Sequence, residues 1–202
     1  MADGEVGQSN FLLSSSMDRT VMLWHTSRNE CLCVFQHTDY VTAIAFHPKD
    51  DRYFISGSLD CRIRMWSVAE KRVVNWLEIP HTNLITAVTF NTDGKTILAG
   101  TYTGACFIYT VEGLKFVTEI MVRSTKGRNA RGSKITGIEC IAGTNTSDEK
   151  MLITTNDSRI RLYSLRDFNL ICKYKGAQNR NSQIRASFRF IFFFSFVPEK
   201  YY

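Results

Sequence analysis

Residues 56–66 read SGSLDCRIRMW, and residues 14–24 read SSSMDRTVMLW. Both place an aspartate six positions before a tryptophan, Asp18 before Trp24 and Asp60 before Trp66. Two more stretches fit the frame: AGTYTGACFIY at 99–109 and ITTNDSRIRLY at 153–163. There Thr103 and Asp157 stand at the turn position, and Tyr109 and Tyr163 at the aromatic one. Successive turn positions are 42, 43 and 54 residues apart. The first two spacings suit a repeating unit of four short strands, ~40–45 residues long. The third carries about a dozen extra residues, which a surface loop absorbs at little entropic cost.

The strands of the second unit can be read directly. β-Branched and aromatic residues dominate 40–46, 52–57, 62–68 and 72–79, with turns such as HPKDD and SLDC between them. Strict alternation is weak, as in sheets covered on both faces. A unit of this kind cannot bury both faces alone and must stack on its neighbours.

These units resemble WD40 repeats, the blades of a β-propeller. The resemblance implies an all-β fold: a partial WD40 propeller of about four blades, each a four-stranded antiparallel sheet. It also implies a hydrogen-bonded chain in each blade, formed by a preceding histidine, a strand serine, the turn aspartate and the tryptophan. In the second unit these are His37, Ser56, Asp60 and Trp66. The chemistry is reasonable, because a buried indole N–H needs an acceptor and a buried imidazole needs a carboxylate to fix its tautomer. The first unit has Ser14, Asp18 and Trp24. The third keeps His81 but has Ala99 and Thr103, and the fourth has Asp157 with Ile153 at the serine position. In the family these residues are structural, and no activated serine or cysteine accompanies them here.

The expected organisation is a disordered segment at 1–10, an incomplete propeller over 11–188, and an atypical aromatic tail at 189–202. FLLSSS at 11–16 reads as the second strand of its unit, and MADGEVGQSN before it does not read as a first strand. KYKGAQNRNSQIRASF reads as the last strand of the fourth unit and the start of another. After Phe188 comes RFIFFFSFVPEKYY, which has no blade grammar and reads as a frame run past a splice junction or a truncated isoform. The family's usual seven blades do not fit in 202 residues. Terminal blades with a naked face and unpaired edges predict marginal stability and self-association.

The formal net charge is +6 and the pI about 9.1. This permits an acidic protein, a phospholipid surface or nucleic acid as partner without selecting one. Residues 122–134, VRSTKGRNARGSK, concentrate Arg123, Lys126, Arg128, Arg131 and Lys134 with no acid. A second basic stretch holds Lys173, Lys175, Arg180 and Arg185. Arginine can clamp carboxylate or phosphate in bidentate fashion, so an acidic protein or an anionic head group is the candidate partner. Nucleic acid fits poorly, because no aromatic is interleaved with the charges of the first stretch for stacking. GRNARG lacks the order of a P-loop.

The six cysteines are scattered, with no CxxC pair and no secretory n-region before an apolar stretch. They read as reduced thiols of a cytosolic or nuclear protein, and the chain is expected to be cytoplasmic, without metal or cofactor. No nucleophile–base pair is visible, so neither an enzyme nor a small-molecule substrate is expected. No apolar run approaches the ~18 residues needed to span a bilayer.

Longer phrases, FLLSSSMDRTVMLWHTSRNECLC and HTDYVTAIAFHPKDDRYFISGSLD among them, resemble the propeller region of a Rab-GTPase effector. That resemblance implies a non-catalytic protein-interaction scaffold in endosomal and Golgi membrane traffic. It implies a small Rab GTPase as partner, and a chain peripheral on those membranes. The alternative is a WD40 scaffold of another complex, such as a ubiquitin-ligase substrate receptor or an RNA–protein assembly.

Overall fold

The computed structural model describes residues 10–123, 132–143, 149–176 and 182–188. Their strands form four antiparallel sheets in which chain neighbours are also sheet neighbours. The first sheet is β1 (Phe11–Ser15), β2 (Thr20–His25) and β3 (Cys31–Gln36). The second is β4 (Val41–Phe46), β5 (Tyr53–Ser58), β6 (Arg62–Ser67) and β7 (Arg72–Glu78). The third is β8 (Ile85–Phe90), β9 (Thr96–Thr101), β10 (Ala105–Thr110) and β11 (Phe116–Met121). The fourth is β12 (Ile135–Ile141), β13 (Lys150–Thr155), β14 (Arg159–Ser164) and β15 (Leu170–Lys175). The fold is all-β, and its sheets follow the strand order that the resemblance to propeller blades implies.

The repeated turn explains the repeated sequence. The residue after the turn position has positive φ in every sheet: Arg19 at 70°, Cys61 at 65°, Gly104 at 88° and Ser158 at 62°. Asp18 and Asp60 brace this left-handed step by accepting the N–H two residues on, from Thr20 and Arg62, both at 3.0 Å. Thr103 does not do this. There the N–H of Ala105 goes to Thr101 Oγ1 at 3.0 Å. Gly104 has a second reason to be glycine, since a Cβ would lie 2.7 Å from the Ser133 amide nitrogen and 2.8 Å from the Val122 carbonyl.

Each sheet packs its face on the next, which gives three apolar cores in series. Val21, Leu23, Phe35, Val41, Phe54 and Trp66 fill the space between the first and second sheets. Ile55, Ile63, Ile85, Val88, Ile97 and Phe107 lie in the core between the second and third. Leu98, Ile108, Ile135, Met151, Ile153 and Tyr163 lie between the third and fourth. Full burial of one such side chain contributes about 1.5–3 kcal/mol. This layering is why the strands lack strict alternation.

A repeated threonine joins the inner strands. Thr42 Oγ1 donates to Gly57 O at 3.0 Å and to Ile85 O at 2.8 Å. Thr86 Oγ1 does the same to Gly100 O at 3.3 Å and Ile135 O at 2.6 Å. Thr136 Oγ1 continues the series to Ile184 O at 2.6 Å. Residues 184–188 therefore lie beside the fourth sheet where β12 lies beside the third. Gly57 and Gly100 permit the close approach, since a Cβ on either would come within 2.5 Å of the next inner strand's isoleucine, Ile85 or Ile135.

Candidate functional site

The residues that the sequence groups into one chain separate into two networks in the second sheet. The indole N–H of Trp66 donates to Ser56 Oγ at 2.8 Å. The same oxygen lies 2.7 Å from His37 Nε2, and His37 Nδ1 lies 3.2 Å from Phe35 O. A carbonyl only accepts, so Nδ1 carries the proton and Nε2 accepts from the serine hydroxyl. Burial, then the nearby Arg64 guanidinium, lower the His37 pKa to about 4, which keeps the ring neutral.

Asp60 is not a partner of His37, and this corrects the expected chain. Its carboxylate takes Thr38 Oγ1 and Ser58 Oγ and forms an ion pair with Arg64, Nη2 to Oδ2, at 2.5 Å. A charged guanidinium outcompetes a neutral imidazole for a carboxylate, and the Phe35 carbonyl then satisfies the histidine. Burial pushes the Asp60 carboxyl up, but the hydrogen bonds from Arg64, Ser58 and Thr38 outweigh it and hold the group well below the usual carboxylate range.

The other sheets vary this arrangement. In the first, Trp24 Nε1 donates to Ser14 Oγ at 2.9 Å in an exposed setting, and Asp18 accepts Thr20 Oγ1 at 2.7 Å. In the fourth, Asp157 pairs with Arg161 at 2.6 Å and accepts Thr155 Oγ1 at 2.5 Å. Arg161 is only 1% exposed. In the third, His81 is exposed at φ 63°, and Thr103 Oγ1 donates to Asn83 Oδ1 at 2.5 Å instead. Sequence reasoning missed Arg64 and Arg161, although RIRMW and RIRLY put an arginine at the same place in both units.

A cavity of about 400 Å³ opens where the inner ends of the sheets meet. The second and third sheets reach it through two positions, the residue before the turn position (Leu59, Tyr102) and the residue before the inner strand (Tyr40, Leu84), while the first contributes Met17 and the fourth Lys134. Backbone bonds tie these positions together: Leu59 N–H to Tyr40 O at 3.0 Å and Tyr102 N–H to Leu84 O at 2.9 Å. Met17, Tyr40, Leu84 and Tyr102 line the mouth with Lys134 beside them. Met17 is 71% exposed and Tyr102 58%. Sequence reasoning missed this ring. Its signal is an apolar residue just before the turn position, as in MD, LD and YT.

Of the basic loop residues, Arg123 is exposed and forms a backbone bridge with Gly132. Lys134 lines the cavity. Lys126, Arg128 and Arg131 lie outside the described residues, as does Arg180. Lys173 and Lys175 sit on β15, the outermost strand of the fourth sheet, away from the inner position of Lys134. The expected tail at 189–202 and all but Asn10 of the segment at 1–10 also lie outside the described residues.

Among the described residues no three His, Cys, Asp or Glu side chains converge as a metal site would require. No helix of the described residues is long and apolar enough to cross a membrane. The cysteines are free thiols. Burial raises Cys106 to about 12 and pushes Cys140 further up, so both stay protonated and poorly nucleophilic at neutral pH. An apolar mouth with one adjacent cation is chemically a place to seat a side chain of another molecule.

The family model described as "WD domain, G-beta repeat" matches residues 7–25, 29–67 and 76–110. With the stacked sheets and their shared turn, this places the chain: it belongs to the WD40-repeat family. Among curated proteins it is similar to WD repeat-containing protein 44 of Xenopus laevis, 58% identical over 194 residues, 95% of this chain and 21% of that protein. It is also similar to an uncharacterized WD repeat-containing protein of Schizosaccharomyces pombe, 38% identical over 88% of this chain and 30% of that protein. A third relative is 2-deoxy-glucose resistant protein 2 of Saccharomyces cerevisiae, 33% identical over 92% of this chain and 24% of that protein. The chain thus spans less than a third of the length of these relatives.

Proposed function

We propose that the chain is a non-catalytic protein-interaction scaffold and that its partner is a small GTPase of the Rab class on endosomal or Golgi membranes. The observation that carries this reading is the cavity mouth, where Met17, Tyr40, Leu84 and Tyr102 from three sheets surround an opening beside Lys134. Apolar and aromatic groups next to a cation suit an apolar surface rimmed by acids. The Rab class comes from the long phrases that resemble a Rab-effector propeller, while similarity to WD repeat-containing protein 44 supports the coarser reading of a WD-repeat scaffold. Arg123, Lys126, Arg128, Arg131 and Lys134 add attraction for acidic groups on the partner or on an anionic membrane. The chain therefore works on the cytoplasmic side of those membranes, without cofactor or small-molecule substrate.

The test is capture of purified Rab proteins loaded with a non-hydrolysable GTP analogue or with GDP. The expected result is retention of the GTP form, lost by at least tenfold in Tyr102→Glu. Arg128→Ala with Arg131→Ala should weaken binding less and flatten its salt dependence. Equal capture of both nucleotide forms, or none, sinks the Rab reading. It leaves a scaffold of another assembly, for which the apolar mouth would serve equally well.

A further inference from the structure

The cavity mouth differs from one side to the other. The second sheet presents Tyr40 and Leu59 to it, and the third Leu84 and Tyr102. In the fourth sheet the same two positions hold Lys134 and Asn156, tied by the same backbone bond, Asn156 N–H to Lys134 O at 3.0 Å. Gln183 stands one residue before Ile184, as Lys134 stands before Ile135 and Leu84 before Ile85. The wall therefore changes from apolar to polar between the third sheet and the fourth. Gln183 Nε2 donates to Thr86 O at 3.1 Å and to Thr136 O at 3.0 Å, which ties the polar wall to both of those sheets. Lys134 is half-buried and makes no ion pair among the described residues. Among those residues no acid lines the cavity. A lone cation beside an apolar opening is a placed polar group of the kind that orients a bound molecule.

We propose that the mouth selects an acidic peptide segment of the partner and holds it in one orientation. An aromatic or branched apolar side chain enters between Met17, Tyr40, Leu84 and Tyr102, and a carboxylate on an adjacent residue pairs with Lys134. This inference rests on the reading of the mouth as the partner site and adds the chemistry which that site takes. The N–H groups of Leu59, Tyr102 and Asn156 are already spent on Tyr40 O, Leu84 O and Lys134 O. Main-chain pairing at these positions is thus closed to a ligand, and side chains carry the recognition. An aromatic or aliphatic anchor supplies most of the attraction, because it fills a pocket that sheds water around it. The charge decides between partners. A neutral segment laid over the mouth strips water from the Lys134 ammonium without replacing it, which costs free energy. A basic segment adds like-charge repulsion, and an acidic one supplies the missing counter-ion and fixes which way the segment runs.

The experiment titrates the 202-residue chain into short fluorescein-labelled peptides and reads anisotropy. The first peptide carries one phenylalanine flanked by glutamates in a glycine and serine background. In the others glutamine or lysine replaces the glutamates, or alanine replaces the phenylalanine. At low salt the glutamate peptide should bind about tenfold more tightly than the glutamine peptide, with the lysine peptide weaker still. Lys134→Gln should abolish that preference. Lys134→Glu should invert it, so that the lysine peptide binds best, and the inversion itself shows that the variant is folded. Tyr102→Ala should weaken every phenylalanine peptide about tenfold and keep the preference for acid. Equal binding of the acidic and neutral peptides, no binding by any of them, indifference to the phenylalanine, or an acid preference that survives Lys134→Glu overturns the proposal. Its failure is separable from that of the Rab reading, since these titrations involve no GTPase. Capture of a GTP-loaded Rab that is lost in Tyr102→Glu and unchanged in Lys134→Glu would overturn this inference alone.

Discussion

The second and third sheets have the same strand order and the same turn, yet different chemistry fastens them. In the second, Arg64 and Asp60 form a nearly buried ion pair, and His37, Ser56 and Trp66 form a satisfied polar chain. In the third, Phe107 stands in the place of Arg64, Thr103 in that of Asp60 and Ala99 in that of Ser56. Phe107 and Ala99 are both buried. The backbone ladders and interlayer cores thus set the architecture, while the polar cluster is an exchangeable fastening. Well-packed apolar residues often match a buried ion pair in stability, whereas half of such a pair is costly.

Removing half a pair is the hardest test of that difference. Asp60→Ala strands the Arg64 guanidinium, and its expected cost is about 3–5 kcal/mol in urea unfolding. Thr103→Ala in the third sheet should cost about 1 kcal/mol. Asp60→Thr combined with Arg64→Phe copies the third sheet's solution and should recover most of the loss. Equal costs for the two single changes would break the comparison.

Acid is the next test. The unfolded chain protonates His37 near its ordinary value of 6.5, the folded chain only near about 4. Between these values the unfolded state binds more protons, so stability is full above the window and falls as pH drops through it. The loss is at most about 3 kcal/mol. Below about 4 the depressed Asp60 carboxyl adds a further loss of the same sign. His37→Gln should flatten the upper window and leave the lower one, as followed by thermal melts across pH.

A smaller effect is expected at the indole. Ser56→Ala removes the acceptor of Trp66 Nε1–H and the donor to His37, at a cost of about 2 kcal/mol. Ser14→Ala loses the exposed counterpart in the first sheet and should cost less than about 1 kcal/mol. Thr86→Val falls between these two, at about 1 kcal/mol for the donor shared by Gly100 O and Ile135 O. Paired denaturant titrations measure both contrasts.

The repeat frame, the turn position and the strand runs were legible in the sequence because period and turn chemistry are local. The partner of Asp60 was not. It depends on which of two donors, His37 or Arg64, reaches the carboxylate, and spacing alone does not decide that. The cavity ring escaped because each sheet contributes single residues far apart in the chain. His81 looked like a counterpart of His37, but the left-handed step at that residue turns it outward and Asn83 takes the bond. The threonine joints were legible only as a repeated T after V or I, with nothing to name their distant acceptors.

Those joints also set a timetable for the nascent chain. Thr42 has its outer acceptor only when Ile85 exists, 43 residues later, and the intervals for Thr86 and Thr136 are 49 and 48. At ~5–20 residues per second on the ribosome, each latch waits roughly 2–10 s for its catch. The arc is therefore sealed from the amino end onward, one interlock at a time. Slowing translation after any inner strand prolongs the interval in which that strand lacks its outer bond.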